Sequence, residues 1–276
     1  MCADKFEHKK SLGQHFLTSD VVPGWMCDAA EITEDDLVLE IGPGTGALTK
    51  VLLERGARVL ALEADERAID SLNTTFATKI AAERLTIEHY DVRALDFGTL
   101  EQLRNQPYKI VANIPYYLSG FLFRTCLEAD PQPESLVFLV QKEVASRIAR
   151  AEKESILSLS VKVYGEPSYI KTVTRGHFAP PPAVDSAIIA IYDISKARLT
   201  DVNPEHFFAL VHLGMGAKRK QLLGNLAKIY DRNELVHIFS TLGIAETVRG
   251  EDLPLETWVK LAAKLPSTAS PQITLE

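Results

Sequence analysis

Over the first two thirds of the chain, short apolar runs alternate with amphipathic stretches. The runs LVLEI (37–41), ARVLALE (57–63), LTIEH (85–89), YKIVAN (108–113) and SLVFLVQ (135–141) have the length and side-chain types of buried strands. Between them, 47–55, 65–77, 98–105 and 119–128 carry apolar positions at helical spacing. Strands that alternate with helices imply right-handed crossovers and a mostly parallel sheet, an α/β class. Beyond residue 165 the pattern changes to PSYIKTVT and DSAIIAIYDI, which flank FAPPP and suit an antiparallel pair at a sheet edge. From NPEHFFALV onward only helical patterns follow, at 204–214, 217–230, 232–242 and 254–265. The polar stretch DISKARLTDVNP (193–204) predicts a domain break, giving an α/β domain over 1–195 and a small all-helical domain over 200–266. Residues 267–276 read as a disordered tail. No internal repeat is evident.

Composition narrows this picture only a little. With 276 residues, 46% hydrophobic and 24% charged, the chain can bury a full core without disulfides or metals. Cys2, Cys27 and Cys126 are far apart and form no ligand cluster, so reduced thiols and no metal are expected. No apolar run reaches the length of a membrane span, and MCADKFEHKK opens no signal peptide, so a cytoplasmic location is expected. The net charge of −7 argues mildly against a nucleic-acid partner. Phosphate contacts are local, however, and basic clusters occur at Lys5, Lys9 and Lys10, at Arg147 and Arg150, at Lys171 and Arg175, and at Lys218, Arg219 and Lys220. The last cluster reads equally well as an RNA-phosphate contact or as a solvated basic turn.

Candidate chemistry sits at successive strand ends. LVLEIGPGTGALT puts Gly42, Gly44 and Gly46 between a strand and a helix, where the backbone turns tightly and approaches a ligand. The loop alone does not separate a nicotinamide dinucleotide from another adenosine-containing cofactor. Glu40, two residues earlier, tilts the choice: a carboxylate there opposes a pyrophosphate and suits the ammonium and sulfonium of S-adenosylmethionine. Glu63 ends the second strand in position to accept from ribose hydroxyls, and Asp91 follows the third in position to accept from an adenine amine.

The fourth strand runs into NIPYY (113–117). An exocyclic amine on a base is a poor nucleophile because its lone pair is delocalised into the ring. Two acceptors, the Asn113 side-chain oxygen and the Ile114 carbonyl, would hold both amine hydrogens and aim the lone pair at a methyl group. Pro115 would stiffen the loop and Tyr116 would stack on the base. The alternative is a strand-end turn in which both tyrosines merely pack.

These features, with the motifs around them, resemble the small-subunit ribosomal RNA adenine N6-dimethyltransferase family. The matching stretches are KKSLGQHFL (9–17), EIGPGTGALT (40–49), LEAD (62–65), Asp91, NIPYYLS (113–119), QKEVASRI (141–148), FAPPPAVDSA (178–187) and KRKQLLGNL (218–226). The resemblance implies a Rossmann-like class I methyltransferase sheet, S-adenosylmethionine as cofactor, and methylation of two adjacent adenines in the 3′-terminal hairpin of 16S rRNA. By motif position it implies cofactor contacts at His15, Leu17, Gly42, Glu63, Asp91 and Asn113. It also implies a small-ribosomal-subunit partner for an expected monomer, and a second aromatic face at Phe178. Read from its own surroundings, Phe178 beside the rigid PPP serves equally as a core anchor. Gln14, His15, Phe16 and Leu17 would form a lid over the cofactor, or else a segment that only covers the sheet. The chain departs from the family pattern at Ile156, Leu157, Met215 and Ala217. Rival readings are the related large-subunit enzyme of the macrolide-resistance type, a non-catalytic RNA-binding assembly factor, and, last, a dehydrogenase.

Overall fold

The computed structural model describes residues 15–104, 106–217 and 219–267. Lys5, Lys9, Lys10, Gln14, Lys218 and the tail from 268 onward lie outside the described residues. The chain begins with β1 (Phe16–Leu17), α1 (Val21–Ala29), β2 (Leu37–Ile41), α2 (Ala47–Glu54) and β3 (Arg58–Glu63). There follow α3 (Glu66–Thr75), α4 (Ala77–Ala81), β4 (Leu85–His89), β5 (Lys109–Asn113), α5 (Ser119–Leu127), β6 (Ser135–Gln141) and α6 (Lys142–Ala149). The remainder is α7 (Ile156–Lys162), β7 (Glu166–Val173), β8 (Phe178–Ala179), β9 (Ser186–Tyr192), α8 (Pro204–Met215), α9 (Leu222–Leu226), α10 (Arg232–Leu242) and α11 (Leu255–Lys264).

Seven strands form one sheet in the order β4-β3-β2-β5-β6-β9-β7. The five strands from β4 to β6 are parallel, and β9 and β7 add an antiparallel edge. All of β2 and all of β6 except Gln141 are buried, because helices cover both faces of a parallel sheet. The strand period divides them between two cores. Val38, Val111 and Val137 pack with Met26 of α1 and Leu52 of α2. On α5, Phe123 meets Phe138 of β6 with ring centroids 5.1 Å apart. Burial pushes the Cys27 thiol up to about 12, and Cys126 likewise upward, so both behave as core side chains. No helix among the described residues is long and apolar enough to cross a membrane.

Two differences from the expected elements have local causes. The helix expected at 98–105 is instead a pair of 3-10 turns, Phe97–Thr99 and Glu101–Leu103, opened by Asp96 accepting from the Gly98 N–H at 2.9 Å. The helix expected over 217–230 contracts to α9, because Gln221 is extended (ψ 147°) and the Leu222 N–H donates to the Val248 carbonyl at 2.8 Å instead of to a preceding turn.

Gly46 opens α2 at φ 81°, and a Cβ there would stand 2.7 Å from Phe76 and 2.8 Å from Leu72. Gly46→Ala is therefore expected to cost about 2–4 kcal/mol through left-handed backbone strain and overpacking, read as a lower midpoint in denaturant.

The chain divides into two compact units. One holds the residues up to Ser146 together with Glu166–Ile194, and the other holds Arg147–Gly165 and everything from Ser195 on. A single break near 195 therefore does not describe this chain: the second unit also takes 147–165. The bonds responsible lie within that unit. The Glu154 N–H donates to the Glu251 carbonyl at 2.7 Å, the Ser195 N–H to that of Tyr164 at 2.8 Å, and Arg198 to that of Lys162 at 2.7 Å. Lys153 bridges Glu251 at 2.6 Å and Asp252 at 3.1 Å. At its centre Trp258 is fully buried, with its indole N–H on the Gly250 carbonyl at 3.3 Å.

Candidate active site at the switch point of the sheet

From β2 the chain moves outward to β3 and β4, then crosses to β5 on the other side. The loops after β2 and β5 diverge there and open a crevice at the carboxyl edge, the usual ligand position in open α/β sheets. A cavity of about 690 Å³ occupies it, lined by residues that follow β2, β3, β4 and β5 and by His15, Phe16 and Leu17. That volume suits a nucleoside-sized ligand.

Three acids mark its floor and one wall. Glu40 is 1% exposed and accepts from the Thr49 hydroxyl at 2.7 Å. Burial pushes its carboxyl up to about 8; the Thr49 hydrogen bond opposes the rise, and the charge of Glu63 adds to it. Glu63 is held by three backbone amides: Gly44 donates to Oε2 at 3.0 Å, and Ala64 and Asp65 donate to Oε1 at 2.9 Å. Asp91 is gripped by Arg93, with Nε on Oδ1 at 3.0 Å and Nη2 on Oδ2 at 2.6 Å. The Arg93 guanidinium, followed by its backbone N–H, holds the Asp91 carboxyl down at about 2. Asp65 and Arg67 repeat this clamp one strand away, at 3.0 and 2.6 Å.

The opposite wall is the turn after β5. Asn113 Nδ2 donates to the His15 carbonyl at 3.2 Å. A carbonyl only accepts, so this contact assigns the amide and turns Oδ1 the other way. No donor among the described residues reaches Asn113 Oδ1 or the Ile114 carbonyl. The Ile114 side chain is buried, and Pro115, at φ −58°, leads into a 3-10 turn over Tyr116–Leu118. The Tyr116 hydroxyl is 2.6 Å from Ser186 Oγ, and its ring stacks with His15 at 5.7 Å and 26°.

β1 fastens the N-terminal segment over this edge. It pairs antiparallel with β8, Leu17 opposite Phe178, and His15 Nδ1 donates to the Pro180 carbonyl at 2.8 Å. The His15 main chain thus orients Asn113 while its ring lies on Tyr116.

The family model for ribosomal RNA adenine dimethylase matches residues 5–266. The chain belongs to the ribosomal RNA adenine dimethylase family. A ribosomal RNA small subunit methyltransferase A of Dehalococcoides mccartyi is 40% identical over 257 residues, which cover 92% of this chain and 87% of the relative. Among solved structures, a dimethyladenosine transferase from Plasmodium falciparum aligns at TM-score 0.74 and 25% identity, covering 90% of this chain and 96% of that one. The 23S rRNA methyltransferase ErmE aligns at TM-score 0.69 and 25% identity, over 91% and 99%. The fold is the Rossmann-like sheet of the class I rRNA methyltransferases, and the chain is an enzyme of the dimethylase family.

In this dimethylase-family chain the cavity brings together His15, Leu17, Gly42, Glu63, Asp91, Asn113, Ile114, Pro115 and Tyr116. Phe178, expected as a second aromatic face for the base, does not line the cavity. It is 3% exposed and packs in the core with Leu17 and Val173, because pairing with β1 turns its side chain inward. Arg147, Arg219 and Lys220 are exposed on the second unit, and Lys218 lies outside the described residues. Sequence reasoning passes over Thr49, Arg93 and Tyr117. The repeated Asp-x-Arg spacing at two strand ends is the available signal for Arg93. Groups of His, Cys, Asp and Glu that could hold a metal are absent among the described residues.

Proposed function

We propose that the chain transfers methyl groups from S-adenosylmethionine to the N6 amines of two adjacent adenines in the 3′-terminal hairpin of small-subunit rRNA, yielding N6,N6-dimethyladenosines. The orientation of Asn113 carries this reading. Its amide is committed to His15 on one side and leaves Oδ1, with the Ile114 carbonyl, as a pair of acceptors at the cavity wall.

The cavity fits the cofactor on its own residues. Glu40 is a buried carboxyl whose ionised form a neighbouring cation would favour. Gly42, at φ +67°, has no atom within 4 Å of where a Cβ would stand, so a side chain there would fill space a ligand needs. Glu63, and Asp91 once Arg93 shares it, offer acceptors for hydroxyl and amine donors. His15 and Leu17, at the β1 edge, cover the methionine end in this reading.

S-Adenosylmethionine supplies an electrophilic methyl group on a sulfonium. The chain's residues prepare the nucleophile. Asn113 Oδ1 and the Ile114 carbonyl accept the two N6 hydrogens, draw the nitrogen toward a pyramidal geometry and stabilise the positive charge that grows on it. Tyr116, its ring plane fixed through Ser186, stacks on the extruded adenine and offsets lost base stacking, a contact worth roughly 1–3 kcal/mol. The proton leaves N6 after transfer, so no base is needed beforehand. Arg147, Arg219 and Lys220 contact phosphates in this reading.

A large-subunit target is the second reading, supported by the likeness to ErmE at 25% identity; the 40% identity to a small-subunit enzyme favours the first. Methyl incorporation from radiolabelled cofactor into unmethylated small and large subunits decides between them. Two adjacent dimethyladenosines in small-subunit RNA are expected, and label confined to large-subunit RNA would overturn the assignment.

Cofactor affinity should also depend on pH through Glu40. The free carboxyl keeps its proton below about pH 8, whereas a neighbouring cation favours the ionised form, so binding releases a proton below that pH. Affinity is expected to rise with pH by up to roughly tenfold per unit and to level near pH 8. Titration calorimetry across pH checks this, with Glu40→Gln removing the slope.

A further inference from the structure

Two large aromatic side chains stand in solvent on the helical path leading away from the catalytic turn. Tyr117 is 63% exposed and lines the cavity; Phe121, four residues on in α5, is 42% exposed. The 3-10 turn over Tyr116–Leu118 runs directly into α5, so the two side chains lie about one turn apart along it. Gly120, between them, has nothing within 4 Å of where a Cβ would stand, so the strip is not interrupted by a side chain. The Arg93 guanidinium lies in electrostatic range of the Tyr117 hydroxyl and is itself 71% exposed. The cavity mouth therefore has a flat aromatic beside it, a second aromatic four residues on, and a cation that lines the same cavity as the first. Core packing does not account for rings this open to water, and two of the six exposed large hydrophobic side chains among the described residues lie in this one turn.

An adenine extruded into the cavity loses its stacking, and so do the nucleotides that flanked it. Aromatic faces outside a base pocket serve such neighbours, because every base has a π-face and an adjacent guanidinium can take the intervening phosphate. Resting on the RNA-methylating reading above, we propose that Tyr117 and Phe121 form a stacking track for the nucleotides flanking the target adenine, with Arg93 on the phosphate between them. Tyr117 is thus a positioning residue for RNA, separate from Tyr116, which meets the reacting base. The track reads single-stranded, unstacked RNA and makes no demand on base identity.

The test is steady-state kinetics on unmethylated small ribosomal subunits with wild type, Tyr117→Ala, Phe121→Ala and Tyr117→Trp, alongside cofactor Kd by calorimetry. Tyr117→Ala is expected to raise KM for the subunit by roughly five- to hundredfold, the range for losing one base–aromatic stack, with kcat at saturation and cofactor Kd unchanged. Phe121→Ala should act in the same direction, and Tyr117→Trp should keep the wild-type KM. The indole fluorescence that Tyr117→Trp introduces, taken as the difference from wild type, should be quenched by a short single-stranded RNA. An unchanged KM in both alanine variants overturns the proposal. So does a rise in KM that the Tyr117→Trp variant shares, or one matched by loss of cofactor binding, either of which marks a structural role. If wild type itself methylates neither subunit, the underlying reading fails and this proposal fails with it; wild-type methylation with indifferent variants sinks the track alone.

Discussion

Asn113→Ala is expected to lower kcat for methyl transfer by about 10²–10³-fold, the usual effect of removing one preorganised group aimed at charge that develops in the transition state. The fold should persist, because Asn113 is only half-buried and its side-chain bond is the one to the His15 carbonyl. Losing that bond also frees the His15 segment, so a modest weakening of cofactor binding should accompany the loss of rate. Asn113→Asp makes a sharper probe. The carboxylate keeps an acceptor toward the substrate but sets an oxygen against the His15 carbonyl, replacing a hydrogen bond by repulsion. Its rate should therefore fall with that of the alanine variant. Turnover at the wild-type rate in either purified variant, with melting temperature unchanged, would remove Asn113 from the mechanism.

Glu63→Ala should raise the cofactor Kd by about ten- to 10²-fold, since three backbone amides leave the carboxylate about one lone-pair site for a ribose hydroxyl, and a hydrogen bond to a charged group contributes about 1.5–3 kcal/mol. It should also lower thermal stability without cofactor, because the Gly44, Ala64 and Asp65 amides lose their acceptor. Each amide left unpaired costs about 1–3 kcal/mol unless water reaches it. Glu63→Gln is not conservative here. A carboxamide has one acceptor oxygen and would turn an NH2 group toward backbone N–H donors, so it should resemble alanine rather than glutamate. Wild-type binding by the glutamine variant, measured by calorimetry, would show that the carboxylate does not hold the ribose.

Much of the first unit is legible because its parallel strands are short, mostly apolar runs, and the carboxyl ends of β2, β3, β4 and β5 are marked by Gly42, Glu63, Asp91 and Asn113. Those marks lie far apart in sequence and meet in one cavity, which the alternation of strands and helices alone implies. What is not legible depends on partners distant along the chain. The pairing of Phe16 and Leu17 with Phe178 and Ala179 joins segments about 160 residues apart, and it decides that Phe178 faces the core. Arg93 and Tyr117 differ in kind: their neighbours are visible, but a sequence does not show which of two adjacent tyrosines is fixed by Ser186 and which stands in water. The division of the chain escapes the sequence for a related reason. Residues 147–165 follow the catalytic segments without a linker, and only bonds to partners such as Glu251, Ser195 and Arg198 reveal where they belong.

That interleaving bears on how the chain emerges during synthesis. Residues 147–165 leave the ribosome well before the helices that complete their unit, and Tyr164, buried in the finished protein with its ring 6.2 Å from that of Phe208, must wait for α8 to be made. The first unit can close once β9 is out, because its last strand ends at Tyr192. At translation speeds of about 5–20 residues per second, the interval between the two closures lasts several seconds. A nascent chain held after β9 has emerged but before α8 has would pair a finished sheet with an orphaned apolar segment, the kind of species that chaperones recognise.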